Sequence, residues 1–258
     1  MSVLCDYDRL GWQFLSRVMD ENNVRLSRTR MGLCDTSTSP LKQPLLFSGD
    51  ELRLRMLRNE RRIHQFLFQS RHNPPPCDAQ AVEDLLLGIA DMTNQGLLPG
   101  GRFRAWCIEA REKSPSQDAT ASMPPAKVPP EQLPGAVAAF ARSVYQRWEE
   151  LGADPVPLAA WAEWQLNAGP LHPFYDGCGR IARSFAAALL VRASWFPPWY
   201  DDHASYYRHS DAGIATFIAY VRARVEACMA SRQRFSGDAE SGATDGIPDV
   251  TSGSTPIR

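Results

Sequence analysis

Apolar side chains recur in this chain at three- and four-residue spacing almost throughout, and that habit restricts it to a helical architecture. Leu52, Met56, Ile63, Phe66 and Leu67 mark one stripe and Val82, Leu85, Leu86 and Ile89 a second, with the breaker-rich RHNPPP between them. Val137, Phe140, Val144, Trp148 and Leu151 form a third, entered through PPEQLP, and Phe217, Ile218, Val221, Val225 and Met229 a late one. Only RFRAWCIEAR, following GLLPGG, reads as strand, with Phe103, Ala105 and Cys107 alternating against their neighbours. The expected fold is all-α, with one small β-hairpin.

A chain of 258 residues, 44% of them hydrophobic, can bury a core of one domain and carry extensions. Residues 51–232 are the expected domain. Residues 1–50 read as an N-terminal helical extension, in which Trp12, Phe14, Leu15 and Val18 suit a short helix and CDTSTSPLKQP a connection. Residues 114–135 are rich in Pro, Ser and Ala and read as a loop. Residues 233–258 have little to bury, which predicts a disordered tail.

The net charge of −1 provides no overall field for holding nucleic acid or an anionic membrane, so neither is an expected partner. Of the 28 basic residues only Lys42, Lys113 and Lys127 are lysine, a bias that suits forked phosphate contacts and that a GC-rich genome would also produce. Six cysteines are scattered without C-x-x-C pairs or zinc-ligand spacing, which points to a reducing compartment. No apolar run has the length of a membrane span, and MSVLCDYDRLGWQFL lacks the layout of a cleaved signal. The expected location is the cytoplasm, with delivery to another cell by a signal-independent route compatible with the same sequence.

The densest chemistry lies at residues 172–183, HPFYDGCGRIAR. PLAAWAEWQLNAG, upstream, places Leu158, Trp161, Ala162 and Leu166 on one helix face and stops at Gly169-Pro170. Downstream, Ile181, Phe185, Ala188 and Leu189 stripe a buried helix, so DGCG forms the loop at its N-terminus. Glycines there let main-chain N–H groups converge on an anion. Arg180 and Arg183, three residues apart, project from one face, and a ligand with several phosphates would resolve their mutual repulsion. Asp176 offers one hard oxygen, which suits Mg²⁺. His172 is placed to take a proton from an attacking hydroxyl. Separately, a histidine before proline and an Asp-Gly pair are usually structural; it is their conjunction at a helix mouth that points to chemistry.

These twelve residues resemble the signature of the Fic family, H-P-F-x-D/E-G-N-G-R-x-x-R, at every specified position but one. The similarity extends, as pattern only, over most of residues 51–230. It implies transfer of AMP from ATP to a protein hydroxyl, with ATP as donor and Mg²⁺ as cofactor. His172 would be the base, Phe174 the anchor of the loop, Asp176 the Mg²⁺ ligand, and Gly177, Cys178, Gly179, Arg180 and Arg183 the nucleotide-binding positions. GGRFRAWCIE resembles the family's flap, on which a target protein would dock by strand pairing near Arg102–Glu109.

Cys178 departs from the family's asparagine, and a thiol is a weak donor. Loss of one preorganised donor at such a site costs about 10²–10³ in rate. Two alternatives to a weakened transferase follow: a pseudoenzyme that binds a nucleotide or a partner, and a Fic-fold enzyme that transfers a different phosphate-containing group or attacks through Cys178. Many family members are also restrained by a glutamate in a helix patterned Ser or Thr, three residues, Glu, then Gly or Asn. SRVMDEN nearly fits, so Glu21 is a candidate partner of Arg183.

Overall fold

The computed structural model describes residues 9–26, 49–71, 75–97, 103–105, 126–174 and 176–241. Eight α-helices lie within them: α1 Arg9–Leu26, α2 Gly49–Ser70, α3 Ala79–Asn94, α4 Leu133–Gln146, α5 Val156–Leu166, α6 Cys178–Arg192, α7 His203–Asp211 and α8 Ile214–Ser241. Asp78 caps α3 and Asp202 caps α7, each side chain accepting the N–H three residues on at 2.8 Å.

The centre of the fold is α6. Every residue from Ile181 to Val191 is buried, as expected of a helix surrounded by others. α5 lies against it most extensively, and α2 and α3 cover further faces. Both helices of the central pair are rich in alanine, including Ala159, Ala160 and Ala162 in α5 and Ala186, Ala187 and Ala188 in α6, and small side chains permit close approach. The N-terminal turn of α6, to which the motif loop leads, thus belongs to a helix almost wholly enclosed by its neighbours.

α1 belongs to this core and does not hang from it. Phe14, Leu15, Val18 and Met19 are buried, and Phe14 meets Phe196 and Trp199 edge-on at 5.2 and 5.8 Å. Buried Asn22 locks α1 to the segment after α6, donating to the Pro198 carbonyl at 2.7 Å and accepting from the Tyr200 N–H at 2.9 Å. The side chains of Trp12 and Leu52 lie outside the described residues.

Two boundaries differ from the sequence expectation. The third apolar stripe is not one helix, because α4 ends at Gln146 and Trp148 and Leu151 fall in a separate 3₁₀ turn, Trp148–Gly152. α8 continues to Ser241, so residues 233–241, expected as tail, extend a helix whose earlier turns are already anchored. Residues 242–258 lie outside the described residues, as do most of the loop at 114–135 and most of the expected strand. Of that strand, Phe103 forms an antiparallel bridge with Phe174, and the Arg104 N–H donates to the Pro173 carbonyl at 2.9 Å.

Candidate active site

The motif turn begins from a constrained backbone. His172 has φ of 35°, in the left-handed region that residues with a Cβ rarely adopt and that usually costs about 1–3 kcal/mol. Two groups hold it there. Arg104, itself 2% exposed, donates Nε to the His172 carbonyl at 2.9 Å and also donates to the carbonyls of Val128 and Leu171. The imidazole Nδ1 lies 2.6 Å from the Asn167 carbonyl, which can only accept, so Nδ1 carries the proton and Nε2 is left as the acceptor. Burial pushes the ring's pKa below 6.5 and the charges of Lys127 and Arg104 push it the same way, against the Asn167 carbonyl and Asp176. The imidazole is therefore neutral near pH 7, the state a base requires.

Phe174 anchors the turn in the core at 1% exposure and stacks on Phe103 at 6.1 Å. Gly177 precedes α6 with φ of 75°, and a Cβ there would come within 3.1 Å of Asn94 Oδ1 and 3.2 Å of Arg180 Nη2. A Cβ at Gly179 would lie 3.1 Å from Arg183 Nη1. Both guanidinium groups thus fold back over the loop glycines at the N-terminus of α6. Arg183 Nη2 reaches Asn23 Oδ1 at 3.3 Å, yet Arg183 Nε and Arg180 Nη1 are buried with no hydrogen-bond partner among the described residues. Orphaned cationic donors beside free helix N–H groups fit an anion with more than one charged oxygen.

Asp176 is half exposed at the loop rim, with Oδ2 3.9 Å from Arg180 Nη2. Among the described residues no group of three His, Cys, Asp or Glu side chains could cage a metal. A single rim carboxylate suits Mg²⁺, which takes most of its ligands from phosphate and water.

Cys178 is placed differently from what its position in the signature suggests. It is 4% exposed, and its Sγ donates to the Phe174 carbonyl at 3.4 Å. The thiol is turned toward the anchor of the turn, so the main-chain N–H is the donor this residue has left for an anion. Burial pushes the thiol up to about 12, so it stays protonated.

Glu21 does not reach Arg183. Its carboxylate pairs with Arg17 at 2.9 Å and Arg25 at 2.6 Å and accepts from Trp199 Nε1 at 3.0 Å, because the helical spacing of α1 directs it to that side. Glu60 of α2, 9% exposed, is instead a buried carboxylate within the electrostatic reach of both Arg180 and Arg183. Burial raises its pKa more than the two arginines lower it. It borders a small cavity of about 10 Å³ with Asn59, His64, Arg180 and Ser184. In the sequence Glu60 lies inside RNERR and reads as a solvated charge; Arg104, Asn94 and Asn167 likewise carry no local signal, since tertiary contact alone brings them to the turn.

No protein-family model and no curated protein matches the chain. Solved structures do. A Fic-domain-containing signalling protein from Bacteroides thetaiotaomicron is similar over 88% of this chain and 91% of its own, with a TM-score of 0.53 and 14% identity. Fic-1 from C. elegans, as a fragment, is similar over 91% of this chain and 64% of its own, just under two thirds, with a TM-score of 0.56 and 16% identity. The protein has the fold of the Fic domain, and the turn at residues 172–183 lies at the mouth of its central helix. No helix among the described residues is long and apolar enough to cross a membrane.

Proposed function

We propose that the protein is a Fic-type nucleotidyltransferase that moves AMP from ATP to a hydroxyl of a target protein. The observation that carries this reading is His172, neutral, with Nδ1 bound to Asn167 and Nε2 left to accept, beside a helix mouth where Arg180 and Arg183 keep unpartnered nitrogens. Nε2 takes the acceptor's proton as its oxygen bonds to the α-phosphorus; the bond from that phosphorus to the bridging oxygen breaks, and pyrophosphate leaves. N–H groups of the loop and first turn of α6 hold the α-phosphate, and the two guanidinium groups hold the outer ones. Asp176 would bind Mg²⁺, which when present neutralises charge on the phosphates. The target would dock along Arg102–Glu109, of which Phe103, Arg104 and Ala105 lie among the described residues, next to Phe174.

Transfer can be followed with ATP labelled at one phosphate. Label on the α-phosphate should become protein-bound and label on the γ-phosphate should not; the reverse would show phosphoryl transfer, a different use of the same cradle.

One observation favours a second reading. With its thiol turned to Phe174, Cys178 offers no side-chain donor to the α-phosphate, so the cradle could bind nucleotide without transferring it. Tight, Mg²⁺-dependent ATP binding without any label transfer would select that reading. Attack by Cys178 itself is opposed by a thiol held at about 12.

A further inference from the structure

Behind the imidazole of His172 stands a buried carboxylate that the reaction itself does not use. Glu163 of α5 is 1% exposed, and phenols meet both of its oxygens: Tyr206 donates to Oε1 at 2.8 Å and Tyr200 to Oε2 at 2.6 Å. The Tyr206 oxygen in turn accepts from Asn167 Nδ2 at 3.0 Å. An amide nitrogen only donates, so the one proton of Tyr206 must point at Glu163, and the bonds run in a single direction from Asn167 to the carboxylate. Asn167 is also the residue whose main-chain carbonyl carries the His172 ring. It lies just past the end of α5, where main-chain bonding of the helix is running out and a carbonyl would otherwise be free to turn.

A carboxylate this deep is costly to keep and contributes little net stability over an apolar substitute. What it supplies is direction: a fixed acceptor for Tyr206, hence a fixed Asn167. Burial raises its pKa on balance, against the lowering pull of the two phenols and of the nearby charge of Arg183.

We propose that Tyr206 and Glu163 are positioning residues for His172, fixing through the Asn167 side chain the carbonyl that holds the imidazole in the tautomer with Nε2 free. That Nε2 then acts as a base rests on the function proposed above; that the ring is held in one tautomer does not. Tyr200 bonds the same carboxylate but lies off this path, which makes it the control. Lys127, Arg104 and Asp176, the charged groups facing the ring, are untouched in either variant.

The experiment compares Tyr206→Phe with Tyr200→Phe, each removing one hydroxyl from Glu163 at an equally buried site. Long-range proton–nitrogen NMR reads the His172 tautomer without any need for turnover, with a His172→Gln sample identifying the signal among the five histidines. Wild type and Tyr200→Phe should show only the Nδ1–H form, and Tyr206→Phe a mixture. In transfer assays Tyr206→Phe should lose about 10-fold or more in kcat, the scale of a misplaced catalytic group, with KM for ATP within about twofold. If Tyr206→Phe does not fold, Asn167→Ala cuts the same path while leaving the Tyr206–Glu163 bond, and the same mixture is expected. A single Nδ1–H tautomer in the variant that cuts the path overturns the proposal, as does equal disturbance by Tyr200→Phe. A mixed tautomer in a protein whose wild type shows no transfer upholds the positioning and removes the transferase reading instead.

Discussion

The guanidinium of Arg104, next to the bridge on Phe174, is buried beneath the turn and donates to the carbonyl of His172 at 2.9 Å. One residue thus ties the expected flap strand to the candidate base, and it helps keep His172 in a backbone conformation that would otherwise relax. Arg104→Met retains the apolar stem but orphans the carbonyls it serves. Urea unfolding should show a loss of about 2–3 kcal/mol, the scale for leaving buried polar groups unpaired. A loss below about 0.5 kcal/mol, within the range of ordinary surface changes, would mean that water replaces Arg104 freely.

Arg180→Ala and Arg183→Ala should weaken ATP binding more than they weaken AMP binding, because the unpartnered nitrogens face the outer phosphates in the proposed pose. Calorimetry with both nucleotides provides the comparison, and equal losses would make the arginines structural.

Glu60→Gln removes the carboxylate that shares the field of these arginines, and ATP affinity should rise several-fold. Stability should follow a definite sign. The folded pKa of Glu60 is raised above 4.5, so its contribution to folding is greatest below that value and diminishes as pH climbs through the folded pKa. Glu60→Gln should therefore be more stable than wild type at pH 7, with the difference closing below about pH 4.5. A constant difference across that range would show that the effect comes from packing and not from the charge.

Periodicity made the helical core legible, and the turn could be read from its own residues because the groups in HPFYDGCGRIAR lie close in sequence. The supports could not. Arg104 reaches His172 across 68 positions and Tyr206 reaches Glu163 across 43, with nothing local to mark either pair. Glu21 came within one residue of fitting a linear pattern, but the direction in which α1 packs placed it against Arg17, Arg25 and Trp199. Where a helix carboxylate points is decided by crossing geometry, which a one-dimensional pattern does not contain.

Cys178 can be tested by chemistry and by reversal. Alkylation near pH 7 should label exposed Cys77 quickly and Cys178 slowly, as a buried thiol held at about 12 requires. Cys178→Asn restores an amide donor at the mouth of α6, and AMP transfer should rise by about 10²–10³, appearing in turnover. A fall in native activity would instead indicate a site built around sulfur.

Transfer of AMP by His172 can be read by intact-mass measurement of wild type, Cys178→Asn and His172→Ala after incubation with ATP, Mg²⁺ and a hydroxyl-bearing acceptor. An AMP-sized increment is expected on the acceptor or on the protein itself, larger in yield for Cys178→Asn and absent for His172→Ala, with ATP affinity retained in the last. An increment that persists in His172→Ala, or none in any of the three despite tight ATP binding, would remove His172 from the role of base.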